Sequence, residues 1–211
     1  MIKSFHDIEE NEDQDDLVWI LSRKEFIRSL LIAGIATQLP ILNACSEIAI
    51  SAEDNFKNID PLGQRQFKVV REVQDILFPF EGDGPGALEV NADKYLVWVL
   101  NDPLLDPKEK DYIIKHIDHL DKTAKNKFGT SFLKLAKKQK EKHIGFIAKE
   151  SWGKKWLSRL LTLIFEALLL DPIYGGNPDN IGWNWLEHNP GQPRPKTENN
   201  YPNIFTTINE I

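Results

Sequence analysis

Histidine and cysteine are the residue types of this chain whose spacing could support chemistry. His116 and His119 stand three residues apart within one predicted helix, a spacing that can hold a metal ion. A zinc site needs further ligands, and neither His143 nor His188 occurs in a recognisable ligand pattern. A self-contained metal-binding or enzymatic lipoprotein that uses His116, His119 and neighbouring carboxylates therefore stays open as one interpretation.

Cys45 is the only cysteine, so the chain has no internal disulfide and no thiolate-rich metal cluster. It follows a basic cluster and an apolar run over residues 30–42, which is as short as the apolar part of an export signal. The order resembles a bacterial lipoprotein signal, in which the cysteine after Leu-x-Ala carries the lipid. The predicted signal, similar to a twin-arginine signal, includes Ser22, Arg23, Lys24 and Phe26. A buried amphipathic helix with a small core cysteine is the alternative.

The signal resemblance implies export, with a mature chain that begins at Cys45 and is lipid-anchored to a bacterial membrane in the periplasm. We therefore divide the chain into five parts. These are a disordered acidic leader over 1–21, a signal peptide over 22–44, a linker over 45–60, a helical domain over 61–195 and a C-terminal tail over 196–211.

The charge balance argues against nucleic acid as a partner. The 211 residues carry a formal net charge of −6, but the leader over residues 1–21 holds seven of the 32 acidic residues. From residue 22 onward 25 basic residues balance 25 acidic ones, so no global field attracts a polyanion. Hydrophobic residues make up 41% and charged residues 27%, as in ordinary globular domains.

Apolar residues recur at helical spacing and predict a mainly α fold, a compact helical bundle. Asp60-Pro61 and Asp106-Pro107 are typical helix starts, and Glu109 occupies the capping-box position of the second. Gly129 is a natural end for that helix, and a very apolar helix ends near Asp171-Pro172. The lysines of residues 134–142 predict a solvated helix face. No alternating run of β-branched residues predicts a strand.

A long irregular loop rich in glycine, proline and tryptophan follows the last predicted helix. Its glycines allow positive φ, and its prolines and Asn or Asp side chains favour rigid turns. Tryptophan and tyrosine on a rigid loop are typical anchors of protein interfaces, although the indoles could equally cover the core. The predicted partner-binding residues are Asp171, Tyr174, Gly175, Gly176, Asn177, Gly182, Trp183 and Trp185.

The pattern Asp171-Pro172-x-Tyr174-Gly175-Gly176-Asn177, with Gly182-Trp183 after it, resembles the gluconate 2-dehydrogenase subunit 3 family. The likeness covers residues 62–195 and includes Ile76-Leu77-Phe78-Pro79, Gly84-Pro85-Gly86-Ala87 and Phe128-Gly129-x-x-Phe132-x-x-Leu135. Ala136 departs from it, since such proteins tend to carry a capping serine or threonine there.

The resemblance implies a non-catalytic accessory subunit. Such a subunit accompanies a large FAD-binding catalytic subunit of a sugar or sugar-acid dehydrogenase, often with a cytochrome c subunit. Its export signal can carry the folded partner across the membrane. We therefore expect FAD in the partner, and no catalytic, cofactor-binding or metal residue in this chain. A purely structural membrane-surface lipoprotein is a third interpretation.

Overall fold

The computed structural model describes residues 61–197 and 199–201. The predicted leader, signal, Cys45, the whole linker and most of the tail lie outside them. The described part contains six α-helices, numbered in chain order. They are α1 (Gln64–Leu77), α2 (Ala92–Leu100), α3 (Pro107–Phe128), α4 (Lys137–Ile147), α5 (Ser151–Leu169) and α6 (Ile181–Leu186). Short 3₁₀ turns lie at Phe132–Lys134, Pro172–Tyr174 and Pro178–Asn180.

The prediction of a mainly α fold is confirmed, since the described residues form helices and no strand. Helix α5 is at the centre, where it contacts each of the other five helices. Its buried face includes Trp156, Leu160 and Ile164, all of them fully inaccessible to solvent. The Trp156 indole donates to the Ile113 carbonyl at 3.2 Å and so joins α5 to α3. No described helix is both long and apolar enough to cross a bilayer.

Helix α3 begins and ends where the sequence predicts. The Asp106 side chain accepts from the Lys108 amide at 2.9 Å, and Gly129 ends the helix with a φ of 72°. The predicted capping box does not form, because Glu109 instead accepts from the Arg159 Nε at 2.6 Å. This side chain therefore ties α3 to α5 rather than to its own first turn.

The predicted start of the first helix at Pro61 is wrong by three residues, because α1 begins at Gln64. Gly63 precedes it and has no side chain to cap with, so Gln66 reaches back and accepts from the Gly63 amide at 3.2 Å. The predicted lysine-rich face lies on α4 and is mostly exposed. Lys140 is the exception: its side chain is 12% exposed and pairs with Glu72 at 3.1 Å.

Candidate functional site

The signature residues of the C-terminal loop form a clasp, which we define as residues 84–90, residues 171–185 and Arg194. Asn177 is at its centre and is completely buried. Its Nδ2 donates to the Leu170 carbonyl at 3.2 Å, and its Oδ1 accepts from the Gly182 amide at 2.7 Å. Its own amide donates to the Val90 carbonyl at 3.0 Å. Asn177 thus joins the end of α5 and the start of α6 through its side chain, and the loop before α2 through its backbone amide.

Two glycines of the clasp lie directly on the last turns of α5. A Cβ added to Gly176 would stand 2.7 Å from the Ala167 carbonyl oxygen, and one on Gly182 would overlap the Leu168 carbonyl oxygen. Both obstacles are helix backbone, which cannot move aside cheaply. Glycine is therefore required here for close approach.

Asp171 fixes the entry to the clasp. Its Oδ1 accepts from the Ile173 amide at 3.1 Å, and its Oδ2 accepts from the Arg194 Nε at 2.8 Å. Burial alone would raise the pKa of Asp171, but the bonds from Arg194 and the Ile173 amide outweigh burial and hold the pKa below its usual range. The carboxylate is accordingly charged and bound at neutral pH, with a structural partner on each oxygen.

Trp183 packs into the chain rather than outward. Its ring is 4% exposed, its Nε1 donates to the Leu169 carbonyl at 2.6 Å, and the Arg194 guanidinium lies 4.6 Å from the ring centroid. The half-buried Trp185 covers Gly84, where any Cβ would overlap the indole. Of the two interpretations of these tryptophans, a cover over the core describes Trp183.

Tyr174 belongs to a half-buried aromatic group on α2. Its ring meets Trp98 edge-on at 5.4 Å, and Trp98 also contacts Tyr201 at 6.0 Å and stacks on Tyr95 at 5.7 Å. The Tyr201 hydroxyl donates to Asp102 at 2.8 Å. Burial, followed by the bond to Asp102, raises the pKa of Tyr201 well above its ordinary value. The tail residue Tyr201 therefore fastens the chain across α2.

Sequence reasoning missed three residues of these surfaces, namely Phe80, Trp98 and Tyr201. Phe80 is 60% exposed, the most exposed large apolar side chain among the described residues. It directly follows the Phe78-Pro79 pair that the resemblance includes. An aromatic residue placed just after a helix-ending proline is the sequence signal that could have identified Phe80. Partner contact by the loop residues is not tested by these contacts and stays a prediction.

His116 and His119 lie with Tyr112 and Trp152 in a ring cluster between α3 and α5. The Trp152 ring is 5.3 Å from His116 and 4.3 Å from His119, and His116 Nδ1 donates to the Tyr112 carbonyl at 2.7 Å. Burial, and then the positive charge of His116, Lys122 and Lys115, lower the pKa of His119. Within residues 61–197 and 199–201, no three His, Cys, Asp or Glu side chains are grouped as metal ligands.

Comparison with known proteins identifies one family that matches this chain. The family model described as gluconate 2-dehydrogenase subunit 3 matches residues 64–191, which is more than half of the chain. The chain belongs to this family, as its loop signature predicted, and is thereby a subunit-type protein of an oxidoreductase complex. No curated protein and no solved structure matches it.

Proposed function

We propose that this chain is a non-catalytic accessory subunit that binds, stabilises and helps to export an FAD-dependent sugar or sugar-acid dehydrogenase. Its membership in a family of dehydrogenase subunits supports a role within a larger complex. The observation that carries the proposal is that the signature residues of the family make contacts within this chain. Asp171, Asn177, Gly182 and Trp183 contact this chain's own backbone and side chains, so the signature preserves a shape rather than a reactive group.

The partner surface in this proposal is the rim of the clasp. Trp185 covers Gly84, and the backbone of Gly86 lies close to that of Phe80, so the loops before α2 and after α5 meet there. Phe80 is largely exposed on this rim, and an exposed aromatic side chain is a typical interface anchor. The flavoprotein is proposed to cover Phe80, the half-buried Trp185 and Tyr174.

Export and anchoring complete the proposal. The signal that includes Arg23 and Lys24 carries the subunit, with its folded flavoprotein, to the periplasm, where Cys45 bears the lipid. A cytochrome c subunit is a further member of such complexes, and FAD belongs to the partner. Mass spectrometry of the mature N-terminus in the native host tests the anchor: a lipid-modified Cys45 supports it, and an unmodified Met1 or Cys45 contradicts it.

Co-expression with a candidate flavoprotein tests the docking surface. Phe80→Ala should weaken the complex by about 2 kcal/mol, since an exposed aromatic anchor of an interface contributes that much or more. Leu104→Ala is the matched control, because Leu104 is also a large exposed apolar side chain, at 47%, but lies outside the clasp. Affinity is measured by titration, and the fold of each variant by circular dichroism.

Equal affinity of Phe80→Ala and wild type, with both folded, would remove Phe80 and the clasp rim from the interface. A chain that stays monomeric with every flavoprotein encoded nearby would contradict the accessory role itself.

A further inference from the structure

Basic and acidic residues are unevenly distributed along the folded chain. Residues 108–158 contain 14 lysines, no arginine and six carboxylates, a net charge of +8 within a chain whose total is −6. The acidic residues that balance them lie before residue 108 and after residue 158. A chain without a global field therefore carries a strong local one.

Five of these lysines surround the ring cluster of Trp152, and we call this surface the lysine face. Lys155 Nζ lies 5.2 Å from the Tyr112 centroid, and Lys127 Nζ lies 3.0 Å from the Phe146 centroid. The positive charges of Lys115 and Lys122 help to lower the pKa of His119, and Lys149 lines the adjoining cleft. All five are exposed, and none forms an ion pair with any described residue.

A cleft of about 410 Å³ opens in the lysine face, between α3, α4 and the start of α5. Phe146 and Trp152 form its apolar walls, and Phe146 is 36% exposed. Lys127 and Lys149 line it together with one carboxylate, Glu150. The surface thus combines accessible aromatic side chains with cations that have no ion-pair partner in the part of the chain that the structure describes.

We propose that the lysine face binds the surface of an anionic phospholipid bilayer. Lysine is a flexible point charge that suits many phosphates in no fixed arrangement, whereas bidentate recognition of a carboxylate or phosphate favours arginine, which is absent here. The cores of protein interfaces are likewise depleted in lysine. Aromatic side chains beside lysines match the interface of a membrane, where Phe146 and Trp152 enter the headgroup region.

This contact is additional to the proposed flavoprotein interface and does not depend on a lipid at Cys45. The two surfaces consist of different residues, since the clasp rim carries Phe80 and Trp185, and the lysine face carries Phe146 and Trp152. A subunit with both would hold a flavoprotein on one surface and rest on the membrane with the other.

Vesicle co-sedimentation of the full chain, carrying Cys45→Ala so that no lipid can be attached, tests this proposal. The vesicles contain phosphatidylcholine alone or mixed equally with phosphatidylglycerol. The test variant combines Lys127→Glu, Lys149→Glu and Lys155→Glu. A control variant with the same net charge combines Lys68→Glu, Lys94→Glu and Lys196→Glu, three exposed lysines outside the face.

The test variant should lose about a hundredfold in affinity for the anionic vesicles, since each lysine near such a surface contributes roughly fivefold. The control variant should stay within about twofold of the parent, and added salt should weaken the parent's binding. Equal losses in both variants, or equal binding to neutral vesicles, would overturn the proposal. A test variant that binds vesicles normally but no longer binds the flavoprotein would also overturn the proposal, because the face would then be a protein interface.

Discussion

The clasp and the lysine face differ in how their polar and charged groups are paired. In the clasp, the polar atoms of Asn177 and Asp171 and the Trp183 indole are bonded within the chain. In the lysine face, five lysines have no ion-pair partner among the described residues, and aromatic rings line an open cleft. A closed network stabilises a shape, whereas unpaired charge around accessible rings favours a partner.

A recognisable motif and an interacting surface need not coincide in one protein. The glycine-rich loop carries the family signature, yet most of its signature side chains are used in intrachain packing. The lysine face carries no motif at all, because charge and amphipathic rings interact without fixed spacing. We expect substitutions in the clasp to change stability, and substitutions in the lysine face to change association.

The largest expected effect comes from Trp183→Ala in the clasp. It removes a buried ring together with the hydrogen bond to Leu169, and such truncations lower the free energy of unfolding by about 3–5 kcal/mol. Urea denaturation at neutral pH measures it. Trp152→Ala in the lysine face is the matched control, because that ring is half-exposed.

Trp152→Ala should cost less than half as much stability as Trp183→Ala and should weaken binding to anionic vesicles. Equal losses of stability in the two variants would erase the distinction between a structural clasp and an interacting face.

A pH dependence should come from His143, a buried residue that lines the cleft of the lysine face. Burial lowers its pKa, and the effect of Lys127 adds to this despite the opposing bond to the Leu120 carbonyl. The unfolded chain then binds more protons than the folded one, so stability is complete above the unfolded pKa of about 6.5 and falls as the pH drops through that value.

The free energy of unfolding should therefore fall between about pH 7.5 and pH 5, and His143→Gln should flatten this slope. Asp171 does not contribute in that window, because its depressed pKa makes its contribution fall only below its ordinary value of about 3.9. His119→Gln, at a half-exposed ring, should remove a smaller part of the slope. Identical slopes for wild type and His143→Gln would contradict the assignment.

The smallest effect, and a stabilising one, is expected from Ala136→Ser at the start of α4. Gln139 already accepts from the Ala136 amide at 3.0 Å, but Ala136 has no acceptor to return the bond. A serine would complete the capping box and add about 1 kcal/mol. Ala136→Val adds bulk without an acceptor, and a gain of the same size from it would show that capping is not the cause. Thermal denaturation distinguishes the two variants.

Local signals in the sequence predicted the helical class and several helix ends correctly. Asp106 and Gly129 act on groups within a few residues of themselves, so their types were sufficient. The start of α1 could not be predicted in this way, because Gly63 has no capping side chain and Gln66 makes the bond instead. Glu109 was misassigned because its actual partner, Arg159, lies on another helix.

The clasp and the lysine face depend on contacts between distant parts of the chain. Composition predicted a rigid loop over residues 171–185. The buried Asn177 of this loop, however, donates its amide to Val90, which precedes α2 in the sequence, whereas Asn177 follows α5. The lysines around Trp152 were obscured because carboxylates elsewhere cancel them in the total charge. Their grouping follows only from the packing of α3 against α5.

Isolation of this subunit through a tag, from membranes of the native host, tests the central claim most directly. The measurement is the flavin content of the purified material, with the flavin-bearing chain identified by mass spectrometry. We expect one FAD per complex, bound to a larger co-purifying dehydrogenase subunit and not to this chain. Recovery of this chain by itself, without flavin and without that subunit, would contradict it.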